Sequence, residues 1–296
     1  MTATLAGSSM VSRAAWVGAG LALLNTLVSV SADAIAKDLI VSYAAPQLMA
    51  LSGGLVVLAG LGAAAAGPGR FILRTGSPGL VALRSIFGAA STVCFFLAFR
   101  DLAFAEVFVF VAMMPIFGAV LSGLLLRERI RLATWGALGF GLIGLLMMEP
   151  DCTGSIGPGY LAGLGASLLG AASIVLSRRI CRSHTHSFTQ VFYAQLACAL
   201  VGFAFLPQVW QPMGAGDLMM LGVYTGFLVI TRWLIVIVVK LLPAYVVMQI
   251  TNIQFLWMVI IGQILFGETV RPELWAGAAL VIGSGIWLVQ AQRRAG

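Results

Sequence analysis

Ten apolar runs fill this chain almost end to end, and their spacing limits the fold more than any other feature. They lie at about 14–36, 46–66, 79–99, 104–125, 132–149, 157–177, 188–207, 217–239, 244–265 and 273–291. Each approaches the roughly 20 residues that a helix needs to cross the hydrocarbon of a bilayer. The breaks are short and carry Gly, Pro or charge: Gly67-Pro68-Gly69, Ser77-Pro78, Arg127 to Arg131, Pro150 to Pro158, Arg178 to His186, Gln211-Pro212 and Gly267 to Pro272. Such residues end helices and start turns. The runs are continuous rather than alternating, and lipid offers backbone groups no water to bond, so helices are expected. Composition excludes the soluble alternative: only 9% of the 296 residues are charged, against about 25% in an ordinary soluble domain. Little chain remains for an extramembrane domain. The expected fold class is an all-α integral membrane protein with ten transmembrane helices.

The basic residues supply an orientation. With both termini cytoplasmic, the inner side holds Arg13, Arg70, Arg74, Arg127, Arg129, Arg131, Arg178, Arg179, Arg182, Lys240, Arg293 and Arg294, and the outer side only Lys37, Arg100 and Arg271. A split that lopsided is the positive-inside pattern of inner-membrane proteins. Arginines scattered between apolar runs do not form the one-faced basic patch of a nucleic-acid binder, so no nucleic-acid partner is expected. The run after Arg13 outlasts the apolar region of a cleaved leader and is expected to be the first span.

Several motifs dissolve in this context. Gly139-x-Gly141-x-x-Gly144 has the spacing of a dinucleotide fingerprint but sits inside an apolar run with no preceding strand. Ala133, Ala137 and Gly141, and likewise Gly163, Ser167 and Ala171, recur every four residues; such stripes let helix backbones approach closely in lipid. His184 and His186 lie in a basic loop without further ligands, and the cysteines form no C-x-x-C pair, so no metal, disulfide framework or cofactor is expected. No Ser/His/Asp or Cys/His constellation points to an enzyme.

The halves superpose at an ungapped offset of 140 residues. Glu128, Arg131 and Trp135 then meet Glu268, Arg271 and Trp275, Leu102 meets Leu242, and Ile40 meets Ile180. Units 1–150 and 151–296 would each hold five spans. Five is odd, so the second unit enters the membrane from the opposite side, giving two inverted five-helix repeats. That symmetry belongs to many secondary transporters.

A family likeness rests on particular stretches: Leu83-Arg84-Ser85-Ile86-Phe87-Gly88, Phe96-Leu97-Ala98-Phe99, Leu102-Ala103-Phe104-Ala105-Glu106, Pro115, Leu126-Arg127-Glu128-Arg129-Ile130, and Asp33-Ala34-Ile35-Ala36-Lys37 in the first span. These resemble the EamA-type members of the drug/metabolite transporter superfamily. The resemblance implies a ten-helix carrier with a central cavity between the halves, and relatives that move amino acids, nucleosides, vitamins or organic anions. The second half departs from it, with Leu242-Pro243-Ala244-Tyr245 and no proline opposite Pro115.

Charges inside the spans carry the functional expectation, because a charge in hydrocarbon costs several kcal/mol unless it finds water, a partner or a ligand. Arg84 and Arg232 stand in the third and eighth runs, each either snorkelling to the interface or facing a cavity, where guanidiniums would favour a carboxylate or phosphate. Asp33 and Lys37 are spaced to pair along one helix face; alternatively Asp33 binds a substrate ammonium or an exchanging proton. Glu106 has the same two readings. Gln249 and Asn252 share a face while Gln254 points elsewhere, and Asn25, Tyr193 and Gln195 add polar groups; interhelical bonding is the plain alternative to a site. Tyr224 and Trp257 stack on a planar substrate or pack in the core. Pro115 kinks the fourth span, as a hinge or statically.

The expected protein is thus a secondary, alternating-access carrier of the bacterial inner membrane, monomeric or homodimeric, for an anionic or zwitterionic metabolite. Arg84, Arg232, Asp33, Tyr224, Gln249, Asn252 and Trp257 are its candidate substrate contacts, with Glu106, Lys37 and Pro115 in coupling or gating. Protons are the candidate coupling ion, and export is favoured through the resemblance. The rivals are uptake of a planar vitamin or nucleoside-like metabolite, and a non-transporting membrane sensor.

Overall fold

The computed structural model describes residues 2–66, 75–102, 104–127, 132–148, 157–182 and 187–266, and scattered positions between 275 and 287. Side chains are described from residue 16 on, except at 63–66, 104–106, 108–109, 112, 145–146, 148, 258–259, 262 and 265–266. The elements are α1 (Thr2–Ser42), α2 (Ala45–Ala66), α3 (Pro78–Asp101), α4 (Phe104–Leu126), α5 (Leu132–Met148), α6 (Pro158–Cys181), α7 (Ser187–Val209), α8 (Ala215–Leu241), α9 (Ala244–Thr251) and α10 (Gln254–Phe266). Six of these, α1, α2, α3, α6, α7 and α8, contain stretches long and apolar enough to cross a membrane. Pro78 and Pro158 open α3 and α6, at the first helical turn, where a missing N–H costs no bond.

Two departures from the expected spans matter. The ninth run is not one helix: it breaks at Asn252 and Ile253 into α9 and α10. There, Asn252 N–H donates to Gln249 O, Ile253 to Ile250 O, Phe255 to Asn252 O and Leu256 to Ile253 O. These three-residue bonds overwind the chain relative to an α-helix. The second departure is α1, which runs from Thr2 to Ser42 rather than over 14–36; Pro115 is buried inside α4. Most of the tenth expected span lies outside the described residues.

The helices pack in a pattern of pairs, α1 with α8, α2 with α7, and α3 with α6. Contacts at the helix ends show α1 and α8 to be antiparallel: Gly18 lies against Leu241 and Leu242, while Tyr43 meets Asp217. Close approach depends on small residues. Gly202 of α7 rests on the α2 backbone at Pro46 and Ala50, and Gly163 of α6 rests on the Phe110 ring of α4. Ser167 and Ala171, the next members of that stripe, are buried, and the Ser167 hydroxyl donates to Phe110 O. An added methyl at Gly163 or Gly202 would force the helices apart, so the stripe packs helices as its spacing implies.

The outward face is apolar: Ile86, Leu124, Leu161, Leu200 and Met219 are all exposed. In water such a surface would aggregate, whereas lipid tolerates it. The chain is an integral membrane protein.

Candidate functional site

Arg232 is the side chain around which the interior polar groups gather. It lies 17 residues after the start of α8 and nine before its end, about 14 Å from the nearer end at 1.5 Å per residue. Its helix face is that of Leu221, Tyr224, Thr225 and Leu228, which are buried or half-buried. Tyr224, Leu228 and Arg232 follow at four-residue steps along this inward stripe. Arg232 is nevertheless exposed. An exposed arginine on the stripe that carries the buried Tyr224 is positioned to border a space between helices. Its charge interacts with Asp33 of α1, Arg84 of α3, Cys198 of α7 and Tyr224 of its own helix.

Asp33 is half-buried on α1, nine residues before the helix ends at Ser42. Its carboxylate accepts a hydrogen bond across the bundle, from Gln254 Nε2 of α10 at 3.1 Å. Trp257, one turn further along α10, donates its indole N–H to Thr26 Oγ1 of α1 at 3.2 Å. The break after α9 therefore presents two polar side chains to α1. Lys37 is half-buried one turn beyond Asp33.

Arg84 is placed differently. It is 5% exposed, and its Nη1 donates to the backbone carbonyl of Gln190 in α7 at 2.5 Å. Its Nε is buried with no hydrogen-bond partner among the described residues. Gln190, fully buried, is fixed in turn: its Oε1 accepts from Ser177 at 2.7 Å and its Nε2 reaches Cys181 Sγ at 3.2 Å. Ser173 donates to Arg84 O at 3.0 Å. A cation held by one neutral carbonyl and no carboxylate keeps most of its charge unneutralised. The site is electropositive, with Asp33 its one described acid.

Gln249 bonds across to another helix. Gln249 Nε2 donates to Ser284 Oγ at 2.5 Å, and both lie against Gly141 of α5, an interhelical bond on the far side of the break. Asn252 is buried at the turn between α9 and α10. The Glu106 side chain lies outside the described residues. Asn25 is buried on α1 with its Oδ1 unpartnered, one residue before Thr26.

Gln190 went unnoticed in the sequence because it stands three residues into α7, next to a basic loop, where a polar residue reads as interfacial. The same holds for Gln47, whose buried amide clamps the chain before α8: Nε2 donates to Gln211 O at 2.7 Å and Oε1 accepts from Gln211 N–H at 2.9 Å. Beside that clamp, Tyr43 donates to Asp217 Oδ2 at 2.6 Å. This hydrogen bond, with a smaller contribution from burial, raises the Tyr43 pKa above the ordinary phenol value.

Comparisons with known proteins agree with this architecture. The sequence matches the EamA-like transporter family twice, over residues 16–149 and 157–290. It is 24% identical over 177 residues to a riboflavin transporter of Vibrio cholerae, covering 60% of this chain and 59% of that one. It is 30% identical over 139 residues to the pseudopaline exporter CntI of Pseudomonas aeruginosa, covering 47% of each. The chain thus spans about half to three fifths of the length of the curated relatives it matches. One solved crystal structure superposes with a TM-score of 0.73 at 21% identity, covering 96% of this chain and 99% of the other; that likeness shows the fold.

Proposed function

Because the chain belongs to the EamA-like transporter family, shown by two matched units that together cover most of it, we propose that it is a secondary carrier of the bacterial inner membrane for a small carboxylate-bearing or zwitterionic metabolite. The observation that carries this reading is the inward-facing, solvent-open Arg232, set among groups from α1, α3, α7 and α8. Arg232 makes the direct bidentate contact with the substrate carboxylate. Arg84 stands behind it as a second positive charge. Asp33 receives the substrate ammonium or an exchanging proton, held ready by Gln254.

Alternating access would use two halves of opposite topology with both termini cytoplasmic. In support, the third helices of the two units, α3 and α8, each pack antiparallel on the first helix of the other unit. Arg178 at the end of α6 donates to Val239 O at 3.0 Å at the end of α8, and Gly18 at the start of the apolar stretch of α1, Trp16–Ser42, lies against Leu242. The end of α6 thus lies near the start of that stretch, as inverted copies require. Helix pairs that exchange roles under a two-fold axis can open a shared site to one side and then the other.

Flux into liposomes of purified protein, driven by amino acid, dicarboxylate and nucleoside gradients with and without a pH difference, tests the reading. Arg232→Gln should abolish accumulation of whichever anion or zwitterion the wild type moves. Unchanged flux in that variant would overturn it. A planar, flavin-like substrate is the second reading, favoured by Trp257, whose indole is held by Thr26 on the α1 helix that also carries Asp33; it requires Tyr224→Leu and Trp257→Leu, rather than Arg232→Gln, to eliminate flux. Export remains the favoured direction on family grounds.

A further inference from the structure

The geometry points to a binding site for the headgroup of an acidic phospholipid at the arginine-rich end of the bundle, remote from the carrier's interior. A cleft of about 680 Å³ opens there, lined by Ser77 and Leu80 of the α3 entry, Leu124, Leu125 and Leu126 of α4, Arg127, and Arg179 and Arg182 at the end of α6. Three guanidiniums converge on it from two directions. The described lining residues include no acid.

The positions of the arginines are fixed by the backbone. Arg127 has φ 53, a left-handed conformation that ordinary side chains adopt reluctantly. That turn ends α4 at the rim of the cleft. Arg179 Nη1 donates to Leu125 O at 3.3 Å, tying α6 to the end of α4; the guanidinium's other N–H groups are left for a further acceptor. All three arginines are exposed. The flanking sequence adds Arg70, Arg74, Arg129 and Arg131 against one acid, Glu128.

The walls decide between a lipid and a free anion. Leu124 is 72% exposed and Leu125 39% exposed, and with Leu80 they give the cleft an apolar side continuous with the lipid-facing surface. A soluble phosphate would have no use for that wall. A phospholipid fills both parts, its phosphate on the guanidiniums and its acyl chain along the leucines. Basic pockets between membrane helices on the cytoplasmic side recognise anionic headgroups in this way. The lipid would also join the ends of α3, α4 and α6, and α3 is the helix that carries Arg84.

Native mass spectrometry of the protein in detergent, titrated with phosphatidylglycerol or phosphatidylcholine, tests the site. Phosphatidylglycerol should be retained as a one-lipid adduct that survives delipidation conditions removing phosphatidylcholine. The triple variant Arg127→Gln/Arg179→Gln/Arg182→Gln should weaken that retention by about 100-fold, since each basic residue near an anionic surface contributes roughly a fivefold factor. The triple lysine variant keeps the charge and should retain most of the binding, which separates lost contacts from a lost fold. Arg100→Gln removes a charge at the opposite end of α3 and should change nothing. Equal retention of both lipids, undiminished binding by the glutamine variant, or displacement of phosphatidylglycerol by millimolar inorganic phosphate would overturn the assignment. None of these outcomes depends on what the carrier transports.

Discussion

Arg84 and Arg232 invite comparison because each is the intramembrane arginine in the third helix of its matched unit, yet their surroundings have little in common. Arg84 is sealed, bonded to one backbone carbonyl and missing a partner at Nε. Arg232 stands on the same stripe as Tyr224 but is exposed. A sealed cation shapes the field of a cavity without being reachable, while an open one can be grasped by a ligand. Sequence position and depth are similar for both, so depth alone does not identify the binding group; access does.

The largest expected effect follows from that difference. Arg232→Gln should lower kcat/KM for the transported anion by about 30- to 5,000-fold, the range for removing one partner of a desolvated, hydrogen-bonded charge pair. Thermal unfolding in detergent should move by no more than about 2 °C, because an exposed side chain contributes little to stability. A large loss of stability would mean that Arg232 holds the fold together and would erase the contrast.

Arg84→Gln should show the opposite balance. The glutamine amide can still donate to Gln190 O, while the cost of a buried, unneutralised charge disappears, so unfolding should occur at the same or a higher temperature. Transport should fall by only about 10-fold, chiefly through KM, as one charge is lost from the cavity's attraction for an anion. If Arg84→Gln matched Arg232→Gln in flux and left stability untouched, the two arginines would be equivalent substrate ligands and the comparison would break.

How far the site could be read in the sequence depends on what kind of signal each part leaves. The spans of α2 to α8 were legible within a few residues because length and hydropathy are imposed by the bilayer, and Arg84, Arg232 and Asp33 stood out because charge in an apolar run is rare. Partnerships were not legible. The hydrogen bond that Asp33 accepts from Gln254 joins residues 221 positions apart, which helical spacing along one span does not reveal. Gln249 looked like a companion of Asn252 and instead bonds to Ser284. The break at Asn252 was hidden because it contains neither Gly nor Pro. Pro115, by contrast, lies inside a continuous α4, where its lost backbone bond is compatible with packing inside a bundle.

That second contrast yields an intermediate effect. Asn252→Ala favours continuous α-helix through the turn and should draw Gln254 and Trp257 away from α1. A fall in transport of about 10-fold is expected, the equivalent of roughly 1.4 kcal/mol, while Pro115→Ala should stay within about twofold. The flux assay used for Arg232 measures both. The reverse order would move the functional hinge from the second unit to the first.

The smallest effect lies at the other end of α8, where Tyr43 donates to Asp217. Removing the hydroxyl in Tyr43→Phe should give a modest fall in unfolding temperature at neutral pH. The sign of the pH dependence follows from the raised pKa. A group whose folded-state value exceeds its unfolded value stabilises fully below the latter, here 10.0, and loses that contribution as pH climbs through the folded-state value. The difference between wild type and Tyr43→Phe should therefore be constant up to about pH 9 and shrink above pH 10. Because the latch joins α1 to α8 far from Arg232, loosening it should alter the rate at which the site changes sides and leave KM unchanged. A shift in KM equal to that of Arg84→Gln would place the latch within reach of the substrate, and Arg232 would then no longer mark the centre of the site.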